Sequence, residues 1–353
     1  MKDCVLVTGG AGFIGTAVSS LFPVEIGELV VVDVLHPQVH RVRTRPAELA
    51  PRATLLVSDV AEAATWDDFL RTWRPRWVLH LAAETGTGQS LTEASRHATA
   101  NVLGLTRMLD AFAARECFPE HVVLTSSRAV YGEGTWQRAD GSTFHPGQRD
   151  RQMLARAEWD FPGARALPFR AGGTAPDPTS VYGATKLVQE QILRAWTESF
   201  GVKASILRLQ NVYGPGQSLT NPYTGVVTLF ARLAQEGKPI PLYEDGEMLR
   251  DFVYIDDVAR AILLAFQNPP TGPRTVDIGS GTPITIRQAA EIIARVYGAP
   301  APEVTGKYRH GDVRHASCEI DQARTELGYA PRVAPEEGLV RLCEWVNTRV
   351  ARI

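Results

Sequence analysis

Val5-Leu-Val-Thr-Gly-Gly-Ala-Gly-Phe-Ile-Gly15 decides the fold of this chain. Cys4 to Val7 is a short apolar run suited to a buried parallel strand. A glycine cluster follows at once, and Phe13, Ile14, Ala17, Val18 and Leu21 then recur with helical period. Gly10, Gly12 and Gly15 fit G-x-G-x-x-G, with Gly9 beside them. In that pattern the first glycine permits a tight turn and the second lets the backbone approach a pyrophosphate. The third lets the new helix pack closely on the strand, and amides at the helix start face the phosphates. A glycine-rich turn can also join strand to helix for steric reasons alone. The context favours dinucleotide binding. A second apolar run, Leu29-Val-Val-Val32, ends in Asp33, roughly 20 residues on, where a ribose-binding acid is expected. A carboxylate there also repels a 2′-phosphate, which favours NAD over NADP.

Outward from that stretch, strand-like and helix-like runs alternate. Ala53 to Val57 leads into Ser58-Asp59-Val60, Trp77 to Ala83 follows, then His121 to Thr125, with amphipathic stretches Asp67 to Trp73 and Glu93 to Phe112 between them. Such alternation predicts an α/β protein, a doubly wound parallel sheet covered by helices on both faces. Ligands of such sheets sit beyond the carboxyl ends of the strands, so the residues to inspect are Asp33, Asp59, Ala82, Ala83, Ser126 and Ser127. Asp59 has two readings, contact with an adenine amine or a cap on the next helix.

Ser126-Ser-Arg-Ala-Val-Tyr-Gly132 is followed much later by Tyr182-Gly-Ala-Thr-Lys186. Leu187, Ile192, Leu193 and Trp196 continue a helical rhythm, so Tyr182 and Lys186 stand one turn apart on one face. A nearby ammonium favours the phenolate and lowers the tyrosine pKa toward neutrality. Such a phenol can take a proton from an alcohol and return one to a ketone. Alone, Tyr-x-x-x-Lys is a common accident. It gains meaning after the glycine turn, Asp33 and the strand-end serines, in that order.

In this arrangement the chain resembles the extended short-chain dehydrogenase/reductase superfamily, and within it the NAD-dependent nucleotide-sugar epimerases and dehydratases. The resemblance runs from Thr8-Gly-Gly-Ala-Gly-Phe-Ile-Gly15 to Arg309-His-Gly-Asp312. It implies Ser127, Tyr182 and Lys186 as the catalytic set, with Lys186 also holding the nicotinamide ribose. On the cofactor side it implies Gly9, Gly12, Phe13, Ile14, Gly15, Asp33, Asp59 and Val60, the loop Leu81, Ala82 and Ala83 after His80, and Asn101. For Asn101 a buried amide bonded to backbone is an equally good reading. On the substrate side it implies Glu84, Thr85, Ser90 and Ser127 toward the sugar, and Asn211, Arg250 and Arg309 on a diphosphate. Asp312 falls near a nucleotide ribose, and Lys238 to Leu242 along the base. Arginine suits phosphate because its planar fork bonds two oxygens at once.

Dehydratases and decarboxylases of this superfamily carry acids directly after the strand-end serine or threonine, whereas Arg128 and Ala129 stand here. The implied activity is therefore 4-epimerisation of a nucleotide sugar through a transient 4-keto intermediate, on a dTDP-linked 6-deoxyhexose. A 4-ketoreductase with net redox is the alternative, and a 4,6-dehydratase a more distant one. Thr85-Gly-Thr-Gly-Gln-Ser90, Ser126 to Gly134 and Asn211 to Ser218 are most similar to the dTDP-L-rhamnose 4-epimerase branch, with UDP-glucose 4-epimerases next. The absence of cysteine between Cys117 and Cys318 departs from that branch.

The resemblance also divides the chain. Residues 1–185 would form a Rossmann NAD-binding domain carrying an insertion at 133–178. Residues 186–353 would form mainly a smaller α/β substrate domain, with some segments returning to the first. The insertion holds Trp136, Trp159 and Phe161 among many arginines and reads poorly as regular structure. Since it begins and ends at the site, a lid or wall of the sugar pocket is expected of it, against a mere surface excursion. Helices near Glu93–Cys117 and Tyr182–Phe200 are expected to pair with their twofold mates as a four-helix bundle in a homodimer.

Composition sets outer bounds. The 353 residues can bury one large core or two modest ones, and 44% hydrophobic with 22% charged residues is ordinary for a globular chain. A formal charge of −2 gives no reason to expect nucleic acid or an anionic membrane as partner. Cys4, Cys117, Cys318 and Cys343 are scattered without a C-x-x-C pair, which argues against a metal site and a disulfide framework and suits a reducing cytoplasm. No stretch approaches the ~20 apolar residues of a membrane span.

Overall fold

The computed structural model describes residues 1–40, 42–219 and 225–350. Seven strands form one all-parallel sheet: β1 (Lys2–Thr8), β2 (Glu28–Asp33), β3 (Thr54–Val57), β4 (Trp73–His80), β5 (His121–Ser127), β6 (Lys203–Leu209) and β7 (Arg274–Ile278). Their order is β3-β2-β1-β4-β5-β6-β7. Thr8 lies opposite both Val32 and His80, which fixes the register at the centre. The order reverses between β1 and β4, and this switch point opens a crevice at the carboxyl ends.

Alternation along each strand feeds two cores. Val5, Val7, Val31, Leu79, Val123, Leu207 and Val276 share one core with Val258, Ile262 and Phe266 of the helix Ile255–Gln267. Leu6, Val30, Val32, Val78, Val122, Leu124 and Ile206 share the other with Trp66, Phe69, Met108, Phe112 and Leu193. The strands therefore read as unbroken apolar runs because both faces are covered.

A third core is built by Val227, Phe230 and Ala231 of the helix Val226–Gln235, Ala289, Ala290 and Ile293 of Ile286–Tyr297, and Leu339, Leu342 and Val346 of Pro335–Val350. This body packs beside the sheet. The boundary expected at 185 falls inside the helix Val181–Phe200, and β6 and β7 enter the main sheet from the second half. The chain thus crosses between bodies several times.

Boundaries shift where local signals compete. Trp73 starts β4 and does not end the preceding helix, Ala63–Thr72. The long helix expected near 93–117 is Ala94–Ala98, a π turn at Thr99–Leu103, and Gly104–Ala114. Gly104 is required there because a Cβ would fall 2.6 Å from Val60 Cγ2.

The segment 133–178 departs most from expectation. Trp136–Arg138 is the middle strand of a three-stranded antiparallel sheet, between Thr143–Phe144 and Ala164–Ala166, and Arg151–Ala155 is a helical turn capped by Asp150. Trp136 is buried with Phe161 edge-on at 4.9 Å. None of these residues lines the central cleft, so the expected lid or pocket wall is corrected to a buttress. Arg149, 1% exposed, pairs with Glu133 at 3.1 Å and Glu244 at 2.9 Å and donates to the Asp312 carbonyl at 2.8 Å. Arg314 meets Glu244 at 3.0 Å and Asp160 at 2.9 Å.

Candidate active site

The carboxyl ends of the strands open into a cleft of about 1160 Å³. Gly9 to Gly15, apart from Gly10, form its floor on one side, and Ser127, Tyr182 and Lys186 line the other. The glycines are sterically enforced. A Cβ on Gly9, whose φ is +66°, would lie 2.6 Å from the Ala82 nitrogen, and one on Gly15 would lie 2.4 Å from Gly10. Gly12 differs: the nearest atom to its Cβ would be Gly9 O at 3.3 Å, so a side chain there would fill the cleft and not the protein. It caps the helix Phe13–Ser19 without a side-chain acceptor for the first amides. An open cradle edged by free amides fits a pyrophosphate, and on this test the residues fit a dinucleotide.

Asp33 closes the turn from below. Its Oδ2 accepts from Ala11 N at 3.0 Å and its Oδ1 from Leu35 N at 2.8 Å. Each oxygen keeps a lone pair for a ribose hydroxyl. Asp59 and Val60 also reach the cleft; Asp59 Oδ1 accepts from Ala61 N at 2.9 Å, so a turn-capping role is present in any case. Leu81, Ala82 and Ala83 line the cleft, held to Thr8 by Leu81 N to Thr8 O at 3.0 Å. Below them His80 is buried with Nδ1 2.8 Å from Thr8 Oγ1. Burial pushes its pKa down to about 3, which keeps it neutral.

Asn101 is buried and does not reach the cleft. Its Oδ1 accepts from Glu84 N at 2.7 Å and its Nδ2 donates to Glu84 O at 3.1 Å and Thr185 Oγ1 at 2.9 Å. It therefore clamps the loop after β4 to the helix of Tyr182. Ser90, expected at the sugar, is likewise internal: its Oγ accepts from Tyr182 N at 3.1 Å and donates to Thr87 O at 2.7 Å. Both positions are one layer behind the site.

Val181–Phe200 is a helix because Ser180 caps it, accepting from Gly183 N at 3.0 Å, and Gly201 in left-handed conformation ends it. Tyr182 and Lys186 project one turn apart, and Ser127 faces the same cleft from the end of β5. The expected effect of Lys186 on Tyr182 is corrected. Burial raises the phenol pKa above its ordinary value, and the Ser127 hydroxyl and the charge of Arg128 pull it back. Lys186 itself is pushed down to about 7 by burial, with Glu190 opposing. The cation that acts on the phenol is Arg128.

Of the other substrate-side residues, Glu84, Thr85 and Asn211 line the cleft. Glu84 pairs with Arg96 at 2.7 Å. Arg250, Arg309 and Asp312 do not line it. The Arg250 guanidinium is taken up by the carbonyls of Leu249, Arg314 and Val313 at 2.7, 3.0 and 2.7 Å. Arg309 lies over the Tyr243 ring at 5.1 Å. Cleft residues that sequence reasoning passed over include Arg128 in this role, and Trp345 and Arg349 of the terminal helix. No local pattern marks the last two, since only the packing of that helix carries them to the cleft. Among the described residues no group of His, Cys, Asp and Glu is placed to hold a metal ion.

Comparison with known proteins adds three findings. The model of the NAD dependent epimerase/dehydratase family matches residues 5–151 and 163–279. The chain is 55% identical to the dTDP-L-rhamnose 4-epimerase of Burkholderia thailandensis over 348 residues, covering 99% of this chain and 96% of that one. Its fold is similar to the UDP-glucose 4-epimerase of Thermotoga maritima solved with UDP-glucose, at a TM-score of 0.79, 28% identity and coverage of 98% and 99%. It is also similar to the Thermus thermophilus UDP-glucose 4-epimerase solved with NAD, at 0.76, 26%, 98% and 99%.

Proposed function

From the premise that the chain belongs to the NAD dependent epimerase/dehydratase family, we infer that it is an NAD-dependent nucleotide-sugar 4-epimerase, an isomerase, acting on a dTDP-linked 6-deoxyhexose. One observation carries the reading: Ser127, Tyr182 and Lys186 line the same cleft as the glycine cradle. The near full-length identity to a dTDP-L-rhamnose 4-epimerase supports the substrate class. Gly12, Phe13 and Ile14 would hold the pyrophosphate of NAD, Asp33 the adenosine ribose and Lys186 the nicotinamide ribose. A bound NAD supplies hydride chemistry at C4 of the sugar. The protein's part is proton transfer and enclosure. Tyr182 takes the C4 hydroxyl proton as the ketone forms and returns it to the same oxygen after the sugar has turned. Ser127 fixes the phenol and the sugar oxygen relative to each other. Arg128 and Ala129 stand where elimination requires acids, which supports epimerisation over dehydration.

The test is to incubate the NAD-loaded protein with dTDP-L-rhamnose, and separately with its C4 epimer, and follow both by NMR. The two reactions should converge on one mixture with no net change in absorbance from NADH. Stoichiometric formation of NADH with a 4-keto sugar accumulating would instead identify a 4-ketoreductase running in reverse, and conversion of UDP-sugars alone would overturn the dTDP assignment.

The reading extends to a C2 homodimer through a four-helix bundle. The run Ala94–Ala114 packs beside Val181–Phe200, and Leu91, Leu103, Val188 and Phe200 are exposed on or next to that pair, Leu91 at 58%. Leu103→Arg with Val188→Glu should convert a dimeric sedimentation profile to a monomeric one. A wild-type protein that sediments as a monomer across concentrations sinks the dimer. Residence in the cytoplasm is part of the same proposal, supported by four cysteines that are all buried and unpaired. No helix among the described residues is long and apolar enough to cross a membrane.

A further inference from the structure

The arginines around the cleft differ in what they have left to give. Arg250 has little: Nη1 donates to two carbonyls and Nη2 to a third, with Met248 Sδ at 3.9 Å. Arg309 is exposed and stacked on Tyr243, away from the cleft wall. Arg128 is the opposite case. It lines the cleft, and its Nε donates to Asn211 Oδ1 at 2.7 Å, which fixes the plane of the guanidinium. Its Nη1 and Nη2 donate to no described residue, so four N–H groups of a planar fork stay available.

Its surroundings place that fork. The charges that act on Arg128 are those of Asp312, Tyr182 and Glu133, and Tyr182 and Asn211 line the same cleft as Arg128. Glu133 is already paired with Arg149 and with Arg314 N. Arg128 in turn presses on Arg250, whose pKa falls to about 9 mainly through burial. Arg128 is half-buried and opens onto the cleft with its Nη donors unspent. A planar fork of this kind is completed by two oxygens of one anion.

We infer that Arg128 is the phosphate fork of this site, its two free Nη groups grasping oxygens of the phosphate attached to the sugar. Arg250 instead holds the backbone of 313–314 in place. With Tyr182, Asn211 and Arg128 on one cleft, a hexose seated at the phenol brings its attached phosphate to the wall that Arg128 and Asn211 form. Asn211, its Oδ1 engaged, keeps Nδ2 as an additional donor. This rests on the nucleotide-sugar reading given above.

Calorimetry on the NAD-loaded full chain separates the two ideas, using dTDP and dTMP. Neither carries a hexose, so Tyr182 plays no part in the result. The wild-type protein should bind dTDP more tightly than dTMP. Arg128→Ala should weaken dTDP on the order of 10–100-fold while dTMP changes less than about two-fold, with bound NAD retained. Arg128→Lys should recover part of the loss, because it restores the charge but not the fork. If Arg128→Ala does not fold, Arg128→Gln, which keeps a donor for Asn211, gives the same comparison. A wild-type protein that binds neither dTDP nor UDP removes the nucleotide-sugar reading itself. Unchanged dTDP binding in the variants, or equal losses for dTDP and dTMP, overturns the role of Arg128 alone.

Discussion

Tyr182→Phe should reduce kcat by roughly 10²–10⁴-fold, the range expected for losing a positioned acid–base group, with NAD content and dTDP affinity unchanged. The substitution is nearly isosteric. The ring keeps its edge-on contact with His97 at 6.3 Å, and the helix keeps its Ser180 cap. Only the oxygen is lost, together with the influence of the Ser127 hydroxyl on it. Ser127 retains another bond, accepting from Ala129 N at 3.1 Å, so its strand end stays ordered. Ser127→Ala should cost less than Tyr182→Phe, because the phenol persists. Turnover is read by NMR from either C4 epimer. A phenylalanine variant within ten-fold of wild type would falsify the assignment of Tyr182 as the proton-transfer group.

The second large effect is on stability and comes from the insertion. Arg149→Met should destabilise the protein by about 3–5 kcal/mol, the cost of leaving buried carboxylates without their cation. Arg149, Glu133 and Glu244 have side chains 1–2% exposed, so solvent cannot replace the lost partner. Arg314 still meets Glu244 at 3.0 Å, which moderates the loss at that residue. Glu133, already raised by burial with Arg149 opposing, keeps only the Arg314 amide. The pH dependence has a defined sign. In the variant the folded pKa of Glu133 rises further above its unfolded value. The folded state then binds more protons than the unfolded one, and stability falls as pH climbs through that interval. The difference from wild type should therefore be smaller near pH 5 than near pH 8 in denaturant titrations. A pH-independent loss under 1 kcal/mol would show that the network is not the tie between insertion and body.

That network bears on how much a sequence discloses. Nothing in the local sequence marks Arg149 or Arg314, since ion pairs between residues 16 to 154 positions apart leave no local period. The same limit explains Arg250. Its motif is plain, yet whether its fork is free or spent depends on where the carbonyls of 313–314 fall. It also explains the tyrosine. Spacing places Lys186 one turn from Tyr182, but the sign of the pKa shift follows from burial, which is a property of the assembled cleft.

The amino-acid sequence by itself determined the parallel sheet, the glycine turn with Asp33, and the grouping of Ser127, Tyr182 and Lys186 at strand and helix ends. Each rests on short-range rules: apolar runs for strands covered on both faces, glycine where a Cβ collides, and one-turn spacing on a helix. Only the tertiary structure decided that residues 133–178 brace the body instead of covering the pocket, that β6 and β7 are the segments returning to the first sheet, and which arginine has donors left for a ligand. Those outcomes turn on which distant groups meet once the chain is closed, and on how much water is left between them when they do.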